Sequence, residues 1–303
     1  MAQEISPSAV LVDQLRKKRR IPMWLEPYHT LVTKKYLGTF GMVLLLVMVV
    51  MAVGANIISP YDPVAQDLAV KLNPPSLSHI FGTDQFGRDM FTRILFGART
   101  SLYVGVGVTL IGTTAAALLG AMSAFIGGKF DLIYQRLVDA VQAIPQLVLI
   151  LTIVSVIGPG LINIILALSF RSSIGQSRIV RSAVIGMRST QYMESAQAIG
   201  ATGPRIMRKY ILPNVMGPIT VLASLTLGGA ILAEATLSFL GFGVPPPLPT
   251  WGAMLSDEAR RYMIQAPWMA IAPGVALTAA IYGINMFGDG LRDVLDPRLR
   301  GSK

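Results

Sequence analysis

Asp84, Arg88 and Asp89 fall within one short segment punctuated by Gly82 and Gly87. Two neighbouring carboxylates could bind a metal ion or divide acid and base roles between them. The turn-forming residues around them favour a plainer reading, a loop held by local caps and ion pairs. Metal chemistry has little else to draw on. The chain has no cysteine, which excludes disulfides and thiolate sites, and its two histidines, His29 and His79, are far apart in sequence. There is no HExxH, so a membrane-embedded enzyme lacks a catalytic cluster. Nucleotide hydrolysis is unsupported as well. Gly128-Lys129-Phe130 is the nearest approach to a phosphate-binding Gly-x4-Gly-Lys-Ser/Thr loop, and it lacks the upstream Gly and the hydroxyl.

Two further charges stand inside apolar runs, Arg171 and Glu234. An intramembrane Arg is costly and is a functional candidate by default. Arg171 lies about ten residues, roughly 15 Å, into its predicted helix. Either it faces an internal cavity and attracts an anionic group, or it snorkels or pairs with Asp139 or Glu234.

The elements that must position these residues are set by composition. The hydrophobic fraction is 52%, the charged fraction 14% and the mean hydropathy +0.57. A soluble domain averages about 25% charged residues, so the chain is too poor in charge to cover itself in water. Leu37–Ile58 carries no charge over 22 residues, about 33 Å of helix, and is too long for the apolar part of a signal peptide. Further spans are predicted at Ser101–Gly128, Leu132–Ile157, Leu161 to about Ile185, Val215–Leu240 and Pro267–Gly288. Gly158-Pro159-Gly160 breaks the chain between the third and fourth.

Charge orients this set. The net charge of +10 could suggest nucleic acid, but its distribution fits a membrane better. Of the 26 Lys and Arg, only Lys71, Arg88, Arg93, Arg99, Arg260 and Arg261 fall on one side of the six spans. The other twenty lie on the opposite side, in the two terminal segments, in the loop between spans two and three (Lys129 and Arg136) and in the region between spans four and five, and the positive-inside rule assigns that side to the cytoplasm. Residues 1–36 then form a basic cytoplasmic leader in contact with lipid through Arg16–Arg20. Residues 37–58 form the first span and 59–100 an extracytoplasmic loop. A core of 101–290 follows, and 291–303 form a cytoplasmic tail.

Within that core, 186–213 is a polar, basic segment between apolar runs. Glu194 to Ile199 are mostly good helix formers. Ala196 and Gly200, four apart, share one face on which another surface could approach closely. Gly203-Pro204 turns the chain into a second helix, Arg205–Tyr210, which Pro213 is placed to end or kink. A DNA-binding helix-turn-helix has a similar outline but is out of place between two spans. A plain amphipathic loop without a partner is the simpler alternative.

This segment resembles the "EAA" loop of bacterial ABC importer permeases, Glu-Ala-Ala, three residues, Gly, nine residues, Ile-x-Leu-Pro. Glu194, Ala196, Gly200, Leu212 and Pro213 match it; Ser195 replaces the second Ala and Tyr210 the Ile. A second resemblance is to the dipeptide/oligopeptide/nickel subfamily, C-type subunit. It rests on His79-Ile80-Phe81-Gly82-Thr83-Asp84-Gln85-Phe86-Gly87-Arg88-Asp89 with Gly97–Leu102, on Glu234–Gly241 with Trp251-Gly252, and on Gly288–Asp293 with Asp296-Pro297.

The resemblance implies an all-α integral membrane protein of the type I ABC importer (MetI-like) fold, with six transmembrane helices and cytoplasmic N- and C-termini. It implies a non-catalytic permease in the cytoplasmic (inner) membrane of a bacterium or archaeon. Its partners would be a homologous B-type permease, two cytosolic ATPases that bind ATP and Mg, and an extracytoplasmic substrate-binding protein, with no cofactor, metal or nucleic acid on this chain. Glu194, Ser195, Ala196, Gly200, Ala201, Leu212 and Pro213 would carry ATPase coupling. Gly82, Thr83, Asp84, Gly87, Arg88 and Asp89 would form the signature loop, which could also face the binding protein. The family more often has an apolar or aromatic residue at Arg171, and shares Glu234, which reads as structural or gating. Peptides are the expected cargo, with nickel, a nickel chelate or glutathione as alternatives. A channel is a different class, and it leaves the polar segment unexplained.

Overall fold

A computed structural model of the chain describes residues 35–188 and 190–295. The cluster Arg16–Arg20, His29, Asp296-Pro297 and the rest of the tail to 303 lie outside the described residues. Those described are helical, apart from connecting segments and one isolated bridge between Thr83 and Asp89. In chain order the helices are α1 (Tyr36–Ile58), α2 (Met90–Ile126), α3 (Gly128–Gln142), α4 (Gln146–Ile157), α5 (Leu161–Arg188), α6 (Gln191–Ala198), α7 (Gly203–Phe239), α8 (Trp251–Met254), α9 (Asp257–Tyr262) and α10 (Trp268–Leu295).

Helices α1, α2, α7 and α10 are long and apolar enough to cross a membrane. α3 and α4 qualify only as a pair, bent by 91°. α5, at 28 residues or about 42 Å, is long enough, but its C-terminal half is too polar to count with the others. Of the six expected spans, four are thus helices long and apolar enough to cross a membrane and one corresponds to the bent pair, while α5 does not meet the same measure.

Several boundaries differ from the sequence reading. α2 starts at Met90, not near 101, because the Asp89 carboxylate caps it, accepting from the Thr92 amide at 2.8 Å. The expected single helix Leu132–Ile157 is broken around Ala143–Pro145. Pro145 has no N–H to donate and pushes Ile144 out of the helical region, so α4 starts afresh at Gln146. Pro213 does not end its helix. A wide turn over Met207–Ile211 accommodates the proline ring, and α7 runs unbroken from Gly203 to Phe239.

Packing rests on close crossings at small residues, as expected where lipid offers no hydrophobic drive between helices. α1 lies against α10, where a Cβ on Gly41 would stand 2.5 Å from the Phe287 amide nitrogen. The C-terminal half of α2 lies along α5, where a Cβ on Gly120 would stand 2.3 Å from the Ser177 carbonyl oxygen. The chain therefore has two ends. A loop end gathers residues 59–89 and 240–267. A hairpin end gathers the end of α2, α3, the end of α5, α6 and the start of α7. Trp251, Met90, Ile94 and Ile284 centre the core near the loop end; Val180, Val184, Met193, Ile206 and Ile211 centre the one at the hairpin end.

Gly120→Ala and Gly229→Ala put the same methyl group on two of these helices. Gly229 meets nothing within 4 Å, so alanine there should raise stability by up to about 1 kcal/mol. At Gly120 the backbone of α5 must move, at a cost of about 1–3 kcal/mol. Apparent unfolding temperatures in detergent should therefore shift in opposite directions.

Candidate functional site

At the loop end the signature residues form a tight, buried turn. One oxygen of Asp84 accepts from the amides of Phe86 and Arg88 at 2.8 and 2.9 Å, and the other from Arg88 Nε at 2.6 Å. Arg93 Nε stands 3.7 Å from that second oxygen. Asp89 caps α2 and meets His79 Nδ1 at 3.0 Å, while Tyr61 stacks on the His79 ring. Gly87 has φ +73°, and a Cβ there would fall 1.7 Å from the Asp67 carbonyl oxygen. Gly82 and Thr83 lie buried under Trp268, whose indole N–H donates to the Thr83 carbonyl at 3.1 Å. The acid pair is thus consumed by caps and ion pairs, and among the described residues no cluster of acidic, His or Cys side chains could hold a metal ion.

The second constellation is the hairpin. Thr190 starts α6, its carbonyl accepting from the amides of Met193 and Glu194. Gly200, at φ +76°, ends it, and the Ala201 amide closes back onto the Ala196 carbonyl at 3.1 Å. This is a left-handed glycine cap, which a residue with a Cβ resists. Met193 (1% exposed) and Ala196 (3%) face inward, and Ala201 packs on the same core. The expected face shared by Ala196 and Gly200 does not exist. Gly200 lies beyond the last helical turn, where the backbone reverses, so the spacing of four no longer stacks the two residues. Glu194, Ser195 and Gly200 are exposed, Leu212 is partly buried and Pro213 exposed. The outward surface belongs instead to Tyr192, Glu194, Ser195 and above all Ile199, 79% exposed. Sequence reasoning passed over Ile199; an isolated large aliphatic residue just before the capping glycine was the available signal.

Polar contacts fasten this end together. Arg181 grips Asp131 through two bonds of 2.7 and 2.5 Å, and Ser123 also donates to that carboxylate. Asp131 precedes the apolar stretch of its pair of helices, and the Arg181 guanidinium holds its carboxyl below the ordinary carboxylate range. Arg178 Nη2 meets Asp139 at 2.6 Å, Tyr134 donates to Ser177 at 2.9 Å, and Arg188 donates to the Ala124 carbonyl near the end of α2.

Between the two ends lies a cavity of 340 Å³ whose walls include Gln146, Arg171, Ser172, Gln176 and Thr226. Arg171 pairs with neither Asp139, which Arg178 and Arg136 occupy, nor Glu234. Glu234 is fully buried and accepts from Ser238 Oγ at 2.6 Å. The sequence reading missed Gln176 and Thr226, which sit in otherwise unremarked stretches of α5 and α7.

A bundle of long apolar helices with a fixed polar hairpin at one end, and inside it a largely apolar cavity that holds one arginine and a few polar side chains, is the frame of a transport permease. The chain belongs to the family of binding-protein-dependent transport system inner membrane components, whose model matches residues 112–301. It is a multi-pass protein of the inner membrane. Residues 33–75 match a second model, the N-terminal membrane domain of oligopeptide transport permease C. The chain is 39% identical to the dipeptide transport system permease protein DppC of Bacillus subtilis, over 88% of this chain and 83% of that one. It is 37% identical to the oligopeptide transport system permease protein OppC of the same organism, over 93% and 92%. Against the di/tripeptide transport system permease protein DppC of Pseudomonas aeruginosa the identity is 38%, over 86% and 88%.

Asp131→Asn tests the fastening of α3 to α5. At neutral pH it should lower stability by roughly 1 kcal/mol. A carboxyl with a depressed folded-state pKa contributes stability above its ordinary value, about 4, and loses it as the pH falls through the depressed one. The gap in unfolding temperature between the parent chain and Asp131→Asn should therefore close on acidification.

Proposed function

We propose that this chain is the permease subunit of an ATP-driven peptide importer, and that α6 with Ile199 is the element through which a cytosolic ATPase moves it. The observation that carries this reading is the exposed hairpin, fixed to the core by Met193 and Ala196 and standing at the end richest in Lys and Arg. The positive-inside rule places that end in the cytoplasm. With the bent pair and α5 each counted as one crossing, six spans put both termini there too. Closure of two nucleotide-binding subunits must be passed on as rigid-body motion, and an anchored helix with an apolar knob suits that task.

Substrate would arrive on an extracytoplasmic binding protein, which the loop end would face. It would pass between this chain and a homologous permease and leave when the cavity turns inward. ATP and Mg would bind on the partner ATPases, not on this chain. The names of the dipeptide and oligopeptide relatives support peptides over nickel complexes or glutathione; binding of a peptide library and of nickel complexes to the cognate external protein decides between them.

Two variants test the coupling assignment. Ile199→Asp changes an exposed side chain only, and Gly200→Trp also strains the left-handed cap that ends α6; both lie outside the long helices, so the chain should still insert and pair with its partner permease. Peptide uptake should fall at least about tenfold, a loss of roughly 1.4 kcal/mol in docking being enough for that. Co-purification of the ATPases on this chain should weaken with it. Uptake at the parent rate in both variants would overturn the assignment.

A further inference from the structure

Arg171 is the cation that the rest of α5 leaves exposed to the pathway. Arg178 and Arg181 each meet a carboxylate at 2.6 Å or closer. Arg171 makes no hydrogen bond or ion pair among the described residues, and its Nε is buried without a partner. Its guanidinium lies over Gly175, where a Cβ would come within 2.8 Å of Nη1. The absent side chain is what lets the guanidinium reach along the helix toward the hairpin end. A second cavity, of 590 Å³ and lined by Gln142, Arg178 and Pro218, shares Gly175 and Ile179 with the first. Arg171 therefore stands where the central cavity opens toward the hairpin end.

Gln176 stands on the same wall with its amide held by neighbours. Its Nε2 donates to Ser172 Oγ at 2.6 Å and to Thr226 Oγ1 at 2.7 Å. Thr226 already spends its only hydroxyl proton on the Leu222 carbonyl at 2.6 Å, so it can only accept from Gln176. That fixes the orientation of the amide. Gln176 Oε1 is left buried, without a partner. The cavity thus offers the terminal nitrogens of a guanidinium that no carboxylate of the described chain meets, a donor set with desolvation cost to recover, and it complements a group bearing an anion.

Resting on the importer reading above, we infer that Arg171 forms a transit subsite for the C-terminal end of a peptide. The guanidinium takes the carboxylate through its fork of donors, while Gln176, tied to Ser172 and Thr226, holds the wall beside it in place. The other wall of the pathway is not this chain's, so contact from one side keeps the site weak enough for release.

The test uses the complete transporter in proteoliposomes, with its external binding protein saturated either by tri-alanine or by the C-terminal amide of tri-alanine. The intact complex should import the free acid faster than the amide. Arg171→Leu should lower import of the free acid about tenfold or more, the scale of one lost charge-assisted hydrogen bond. It should leave import of the amide and the ATP hydrolysis stimulated by the loaded binding protein within about twofold. Equal slowing of both peptides would assign Arg171 to a structural pairing with a partner subunit and overturn the proposal; so would unchanged import of the free acid. Should Arg171→Leu fail to assemble, Arg171→Lys makes the same comparison. It keeps the charge without the fork and should retain part of the preference, and a preference equal to that of the intact complex overturns the role given to the guanidinium. An intact complex that imports neither peptide would instead strike the importer reading itself.

Discussion

Arg181 on Asp131, Arg178 on Asp139 and Tyr134 on Ser177 hold α3 to the hairpin end of α5. Much else depends on that seam. α6 follows α5 after two residues and is packed onto the same core. The end of α2 is tied in by Arg188 at Ala124 and by the close crossing at Gly120. Met193 and Ala196 lie buried against that core, so a push on α6 bears on the core itself. It must displace the ends of α5, α2 and α3 together, which is the behaviour that packed, discretely rearranging elements allow. Exposed ion pairs would be a weak basis for this, but Asp131 and Arg181 are mostly buried, at 18% and 27% side-chain exposure.

The loop end is fixed by a different economy. Here the Asp84 carboxylate and two indoles replace helix packing. Asp84 organises the turn, Trp268 joins it to α10 through the Thr83 carbonyl, and Trp251 donates to the Ile94 carbonyl on α2 at 3.1 Å. Both tryptophans satisfy their one donor against backbone, so neither is spare for ligand binding. Rigidity at this end and at the hairpin leaves the middle of the bundle as the place where change can occur. There α2 carries a wide turn at Thr109–Thr113, and α7 contains Pro218. Both loosen the regular hydrogen-bond ladder beside the central cavity.

How far the chain could be read from its residues follows from this division. Apolar runs and their boundaries were legible wherever hydrophobicity alone decides, as at α1, whose limits were misplaced by a single residue. Failures came where one side chain overrides the run. Asp89 starts α2 early by capping it, Pro145 breaks α3 from α4, and the wide turn at Met207–Ile211 carries α7 through Pro213, where the proline was placed to end or kink the helix. The hairpin was legible as a polar helix turned at Gly203-Pro204, whereas its stop lies at Gly200, which the spacing had put on the helix face. Its outward face was not legible, because which residues of a short helix face inward depends on the core beneath it. That core is assembled from α2, α5 and α7, far apart in sequence, and it turned Ala196 inward and Ile199 outward.

Arg171 was visible in the sequence as a cost, and the fold sharpens what kind of cost it is. A chain that needed only to neutralise a cation on α5 has the means: Asp131 and Asp139 do so for two others, and the bonds are short. Asp139 is already committed to Arg178, with Arg136 beside it at 3.5 Å. Snorkelling fits poorly too, since the Arg171 guanidinium lies over the helix at Gly175 with Nε buried and a cavity beyond. Keeping a buried donor unpaired costs about 1–3 kcal/mol, more when it is charged. A cation held at that cost beside a cavity, with Asp131 and Asp139 committed to other arginines, is most simply balanced by an anionic group that passes through.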